Sequence, residues 1–181
     1  MNNTIGLVDG VAVHVVDDPW ILVDDETEVT KSQAMILTLQ HWQGLGEGGC
    51  NEGLEHGIVL GPDDDPVVLE ALVNTLPIIA LQFPSFRDGR AYSQANLLRT
   101  RYGFKGDLRA VGDVLRDQLA LMRHCGFTSF AVRTDKSVTD ALKGFAEYGM
   151  IYARSVRMPE PLYRRRVREC HDGTLAGTSQ E

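Results

Sequence analysis

No stretch of the chain reaches the roughly 18 consecutive apolar residues that a membrane-spanning helix needs, so no span is expected. The opening MNNTIGLVDG lacks a basic stretch followed by an apolar one, which predicts no secretory signal. Cysteine is scarce, and Cys50, Cys125 and Cys170 are odd in number and far apart. A disulfide framework is therefore not expected, and a reducing, cytoplasmic setting is. No C-x-x-C occurs, which leaves no basis for thioredoxin chemistry or a self-contained iron–sulfur cluster. No P-loop occurs either, and the chain is read as carrying no nucleotide-fold signature and no evident cofactor. Cys170 and His171 lie in a polar tail too poor in ligands for a zinc site, so no metal is expected.

Basic residues are nearly absent from the first part of the chain. Residues 1–75 hold 14 acidic side chains against the single Lys31, whereas residues 76–181 hold 11 acidic and 17 basic ones. The net charge of −7 thus hides a C-terminal half that is positive by itself. Two readings follow: the halves attract each other inside one fold, or the positive half presents a face to an acidic partner. The overall acidity, with no nucleic-acid motif, argues against DNA or RNA.

What is present is an apolar content of 43%, enough for a sizeable core in one domain with tails. Residues 5–24 read as short strands around turns, with Val11, Val13 and Val15 alternating. Residues 24–29 are acidic and expected as a solvated loop, 32–43 as a short helix, and 44–53, with five glycines, as another loop. From Gly57 the pattern becomes regular. Strands are expected over 57–60, 77–83, 108–114, 129–133 and 150–156. Helices are expected over 66–75, 91–102, 117–125 and 137–148. Asp65 with Pro66 forms an N-cap and N1 pair. This alternation predicts an α/β protein with repeated βα units, a mostly parallel sheet (open, or a partial barrel) and a short β-rich N-terminal segment. The organisation expected is an acidic segment 1–56 packed on an α/β core 57–158, then a tail 159–181, basic and then polar. The tail's run Arg164, Arg165, Arg166 and Arg168 reads as a solvated face or a partner contact.

In such folds functional groups gather where strands end and helices begin. That singles out FPSFRDGRAYSQ, residues 83–94. Ser85 is a turn former, and Arg87 and Arg90 beside a helix start form an anion clamp. Alternatively, Asp88 caps the helix, Gly89 serves the turn, and the arginines pair with Asp107 or Asp113. The next stretch, RYGFKGDLRAVGDVLRDQ, adds Arg101, Lys105 and Arg109, with Tyr92, Tyr102 and Phe104 among the cations. Arg109 and Asp113 are expected at the next strand end, facing the same cleft. Cations mixed with aromatics suit docking to an acidic protein. Asp88 and Asp113 are the acid–base candidates if a reaction occurs. Cys125 reads as a small core residue, and His124 as a complement to a helix C-terminus.

The block FPSFRDGRAYSQANLLRTRYGFKGDLRAVGDVLRDQLALMRHCGF, residues 83–127, resembles the core of an uncharacterised bacterial domain-of-unknown-function family. Its members are labelled oxidoreductases involved in sulfite reduction, and are encoded beside the sulfite reductase haemoprotein. The resemblance extends more loosely over residues 57–156 and does not reach the acidic N-terminal segment. It implies an accessory protein of assimilatory sulfite reduction that docks sulfite reductase or its electron donor. One alternative is a small oxidoreductase acting on a sulfur oxyanion with an unseen cofactor, and another is an oligomeric scaffold. Six-electron reduction of sulfite belongs to metal and flavin centres, which favours the accessory role.

Overall fold

The computed structural model describes residues 3–23, 33–44, 56–145 and 154–164. Eight strands form one sheet in the order β2-β1-β8-β7-β6-β5-β4-β3. These are β1 Thr4–Val8, β2 Val11–Val15, β3 Ile21–Leu22, β4 Met35–Thr38, β5 Gly57–Leu60, β6 Ile78–Phe83, β7 Asp107–Gly112 and β8 Ser129–Ala131. The helices are α1 Leu39–Gly44, α2 Arg90–Thr100, α3 Leu119–Cys125 and α4 Val138–Leu142, with 3-10 turns at Pro66–Leu69, Arg116–Gln118 and Lys143–Phe145.

The sheet is mixed rather than mostly parallel. Strands β3 to β8 pair in parallel, but β1 lies antiparallel to β8 and β2 antiparallel to β1. The β1–β2 hairpin turns on Asp9 and Gly10, with φ of 50° and 80°. Two consecutive positive φ values mark the hairpin turn whose twist matches that of the strands, and Asp-Gly is a favoured pair for it. Each parallel crossover leads to the adjacent strand, so helices accumulate on one face and the sheet curls into an open half-barrel. Residues 4–38 supply both margins of this sheet, so the acidic segment and the βα core share one hydrogen-bonded layer.

Strand alternation sorts the core. Ile58, Leu60, Ile79, Leu81, Phe83, Leu108, Ala110 and Phe130 face the helices, where Leu98, Leu119 and Met122 cover them. Val59, Ile78, Ala80, Val111 and Ile36 line the other face against Trp20 and Ala131. Two neighbouring odd positions of β7, Asp107 and Arg109, fall on that second face, a placement that removes Arg109 from the strand-end cleft.

Several elements differ from the sequence reading. Residues 35–38 form β4 instead of helix, because Ile36 and Leu37 bury on opposite faces of the sheet, leaving only 39–44 to α1. The 66–75 segment is a 3-10 turn followed by turns, although Asp65 does cap it, accepting from the Val67 N–H at 3.0 Å. The loops expected at 24–29 and 44–53 lie outside the described residues except Gly44. The same holds for the end of the last helix, most of the 150–156 strand and the tail beyond 164. The described end of that strand, residues 154–156, is not strand. The reading of no nucleotide-fold signature is corrected in one respect: Gly44, Gly46 and Gly49 carry a G-x-G-x-x-G spacing, but Gly44 is the last residue of α1 rather than the end of a strand, the wrong context for dinucleotide binding, and Gly46 and Gly49 lie outside the described residues. Among the described residues no helix is long and apolar enough to cross a membrane, and no group of three or more side chains forms a metal cluster.

Candidate functional site

The C-terminal ends of β6, β7 and β8 are tied together by one hydrogen-bonded chain. Gly112 ends β7 with φ of 98°, and a Cβ there would lie 2.3 Å from the Phe83 carbonyl oxygen. Only glycine fits that turn. It lets the Asp113 N–H donate to the Phe83 oxygen at 2.8 Å. The Asp113 carboxylate then accepts from the Phe86 N–H at 2.8 Å on one oxygen and from Arg133 Nη1 at 2.8 Å on the other. Arg133 in turn grips Asp135 through Nε at 2.6 Å and Nη2 at 2.8 Å. Bonds to Asp135, then Asp113, raise the Arg133 pKa, and the Arg133 guanidinium holds Asp135 down at about 2. Gln118 closes the chain by donating to the Phe86 oxygen at 2.9 Å and accepting from the Leu115 N–H at 3.2 Å.

In the loop between β6 and α2, Asp88 and Arg90 pair with each other. Asp88 Oδ1 accepts from the Arg90 N–H at 3.1 Å and from Nε at 3.0 Å, and Oδ2 lies 2.6 Å from Nη2. Arg90 also pairs with Asp63 from the loop after β5. The Arg90 guanidinium holds the Asp88 carboxyl at about 2, so it is ionised and a weak base at neutral pH. The Ser85 carbonyl accepts from the Asp88 N–H at 2.9 Å, completing a tight turn. Arg87 stacks over the exposed Phe86 ring at 5.4 Å. Tyr92 sits edge-on to Phe83 with centroids 5.2 Å apart, and burial pushes its phenol up to about 12.

The remaining sequence candidates lie elsewhere. Arg101 stacks on Tyr102 at 5.5 Å at the far end of α2. It sits about 16 Å from Arg90 along the helix axis, given about 1.5 Å of rise per residue, and Lys105 follows beyond the helix end. Arg109 is 3% exposed on the inner face. Its Nη1 lies 2.7 Å from Asp18, its Nε donates to Ser129 Oγ at 3.0 Å, and its Nη2 lies 3.5 Å from Asp107. The expectation that Arg109 faces the same cleft as Asp113 is therefore corrected: a residue near the middle of β7 points into the sheet's packed face, not to its end. His124 lies in the last turn of α3, as expected, and burial, then Arg157 and Arg123, lower its pKa. Cys125 is half-buried against the core, and burial raises its thiol pKa.

Sequence reasoning missed the neighbouring cavity of about 570 Å³, lined among others by Leu115, Arg116, Asp135, Lys136 and Asp140. Arg116 and Lys143 each lie 3.2 Å from Asp140, and bonds to Lys143 and Arg116 lower the Asp140 pKa. The strand-end rule applied to β8 would have pointed to Arg133, Asp135 and Lys136, which follow FAV directly. At this edge most cations are matched by carboxylates. Arg87, together with Arg101 and Lys105 at the other end of α2, has no carboxylate within salt-bridge distance among the described residues.

A family model described as a bacterial protein of unknown function (DUF934) matches residues 57–163, more than half of the chain and all of this site. No curated protein and no solved structure matches it.

Proposed function

The chain belongs to that bacterial family of unknown function, and we propose that it is a cytoplasmic accessory protein of assimilatory sulfite reduction, docking the sulfite reductase haemoprotein or its electron donor. The link to sulfite rests on the resemblance carried by residues 83–127. The docking part rests on one observation: the exposed length of α2 carries no acidic residue and is flanked by Arg87, Arg101 and Lys105, which have no carboxylate within salt-bridge distance among the described residues. Phe86 and Tyr102 lie beneath two of these cations, and Phe86 is 49% exposed. Arginine stacked on an aromatic ring is a pre-organised anchor for an acidic surface. Peripheral charges of this kind steer encounter and make binding salt-sensitive. The ionised Asp88, already engaged by Arg90, suits holding the loop better than moving protons.

A pulldown with the haemoprotein subunit at low and moderate salt tests the docking. Retention at low salt that is lost in R87Q/R101Q/K105Q is the expected result, and no retention at either salt sinks it. Growth of a gene deletion tests the pathway step. Failure on sulfate and sulfite with growth on sulfide is expected, whereas normal growth on all three sulfur sources breaks the link to sulfite.

A further inference from the structure

The opposite edge of the sheet, at the N-terminal end of β8, holds a second cavity of about 360 Å³ lined among others by Arg99, Arg123, Thr128 and Arg157. That is the liquid volume of roughly twelve waters, room for a small ion with part of its hydration. Three guanidinium groups meet there. Among the described residues no carboxylate lies within salt-bridge distance of any of them.

Arg99 is held rigidly. Its Nε donates to the Gly126 oxygen at 2.9 Å, and Nη1 to the Phe104 and Gly106 oxygens at 2.7 and 3.0 Å. Its Nη2 reaches Thr128 Oγ1 only at 3.4 Å, which leaves donor capacity toward the cavity. The Asp107 charge acts on Arg99 from across the strand, but its oxygens already accept from Thr128 at 2.6 Å and Ser129 at 2.7 Å. Arg123 donates through Nη2 to the Gly10 oxygen, and its Nε is buried with no partner. Burial, then the Arg157 charge, lowers the Arg123 pKa. A buried guanidinium donor without an acceptor, beside two like charges, is an arrangement that proteins otherwise satisfy. The carbonyls ending α3 do not explain the cluster. The Met122, Arg123 and His124 oxygens accept from the N–H groups of Gly126, Phe127 and Val156.

We propose that this cavity is a binding site for a small multiply charged oxyanion of the phosphate or sulfate class, gripped by Arg123 and Arg157 against the fixed Arg99. Guanidinium forks match such oxygens, and the anion supplies the missing negative charge. The site is separate from the docking face and stands or falls independently of it.

Isothermal titration of the whole chain with inorganic phosphate and sulfate, at constant ionic strength against chloride, tests the proposal. Saturable binding is expected that chloride does not reproduce, weakened at least tenfold in R123M and in R157Q but unchanged in K143Q, which removes the same charge elsewhere. Among the described residues the Arg157 side chain makes no hydrogen bond, so R157Q keeps the test valid should R123M fail to fold. Methyl phosphate separates the sources: equal binding assigns the site to the phosphate group of a larger molecule, and loss of binding assigns it to the free ion. No saturable heat with either ion, or undiminished binding in R157Q, overturns the proposal.

Discussion

Arg109 Nη1 lies 2.7 Å from Asp18 Oδ2 across 91 residues of sequence, with both side chains buried. The pair joins β7 of the βα core to the segment entering β3. Asp18 also accepts from Thr4 Oγ1 at 2.8 Å, so the same carboxylate anchors β1. The opposite charges of the two halves therefore meet inside the fold at this point.

Removing one partner leaves the other charged and buried. D18A should destabilise the protein by about 3–5 kcal/mol, whereas an apolar pair of similar volume, D18L/R109M, should cost much less. Urea unfolding midpoints of the single and double variants check this. Equal destabilisation by both would show that the pair matters through packing alone.

Gly112 sets the Asp113 turn. G112A should cost at least about 1–3 kcal/mol for a positive φ alone, with the contact to the Phe83 oxygen adding to it. Since Asp113 holds the Phe86 N–H, that amide should also exchange with solvent faster. Amide exchange at Phe86 together with urea unfolding distinguishes a local loosening from a global loss.

Asp88 and Asp135 both sit near a pKa of about 2. A carboxylate whose folded pKa is depressed stabilises the fold above its unfolded value of about 4, and that contribution fades as pH falls toward 2. Stability should therefore drop between about pH 4 and 2, less steeply in R90Q and R133Q, and less in high salt because these pairs lie at the surface. Unfolding midpoints across that range test it. A slope unchanged in both variants would contradict the assignment.

Tyr92 moves the other way. Its folded pKa of about 12 means that neutral phenol is favoured by burial, so its contribution is complete below about pH 10 and is lost as pH rises through 12. An alkaline absorbance titration should show one tyrosine ionising near pH 12, and Y92F should remove that late step. A titration in which Y92F removes an ordinary step instead would place Tyr92 in solvent.

The βα units after Gly57 were legible because apolar runs of strand length alternate with helically spaced ones, and because Asp65-Pro66 and the glycines punctuate them. Met35–Thr38 was not legible as a strand. MILT continues smoothly into the helical LQHWQ, and only pairing with β3 and β5 decides it. The antiparallel margin was equally hidden, since whether β1 joins β8 or an outer edge depends on a hydrogen-bond register far along the chain. At the strand ends, the loop of Ser85 to Arg90 was found by a positional rule. Its internal pairing of Asp88 with Arg90 follows from their being two residues apart around a turn.

Local pattern by itself determined that this chain is α/β, which segments carry strand and helix periodicity, and that its positive charge lies after residue 75. Those properties depend on neighbours within a few residues. The tertiary structure alone decided which charges are spent within the fold and which remain free. Arg109 is buried against Asp18, and Arg133 is locked between Asp113 and Asp135. Arg99, Arg123 and Arg157 are gathered into one cavity that no acid lines among the described residues. Charge compensation acts through space over a few ångströms, and the sheet's register, not the sequence interval, sets which side chains come that close.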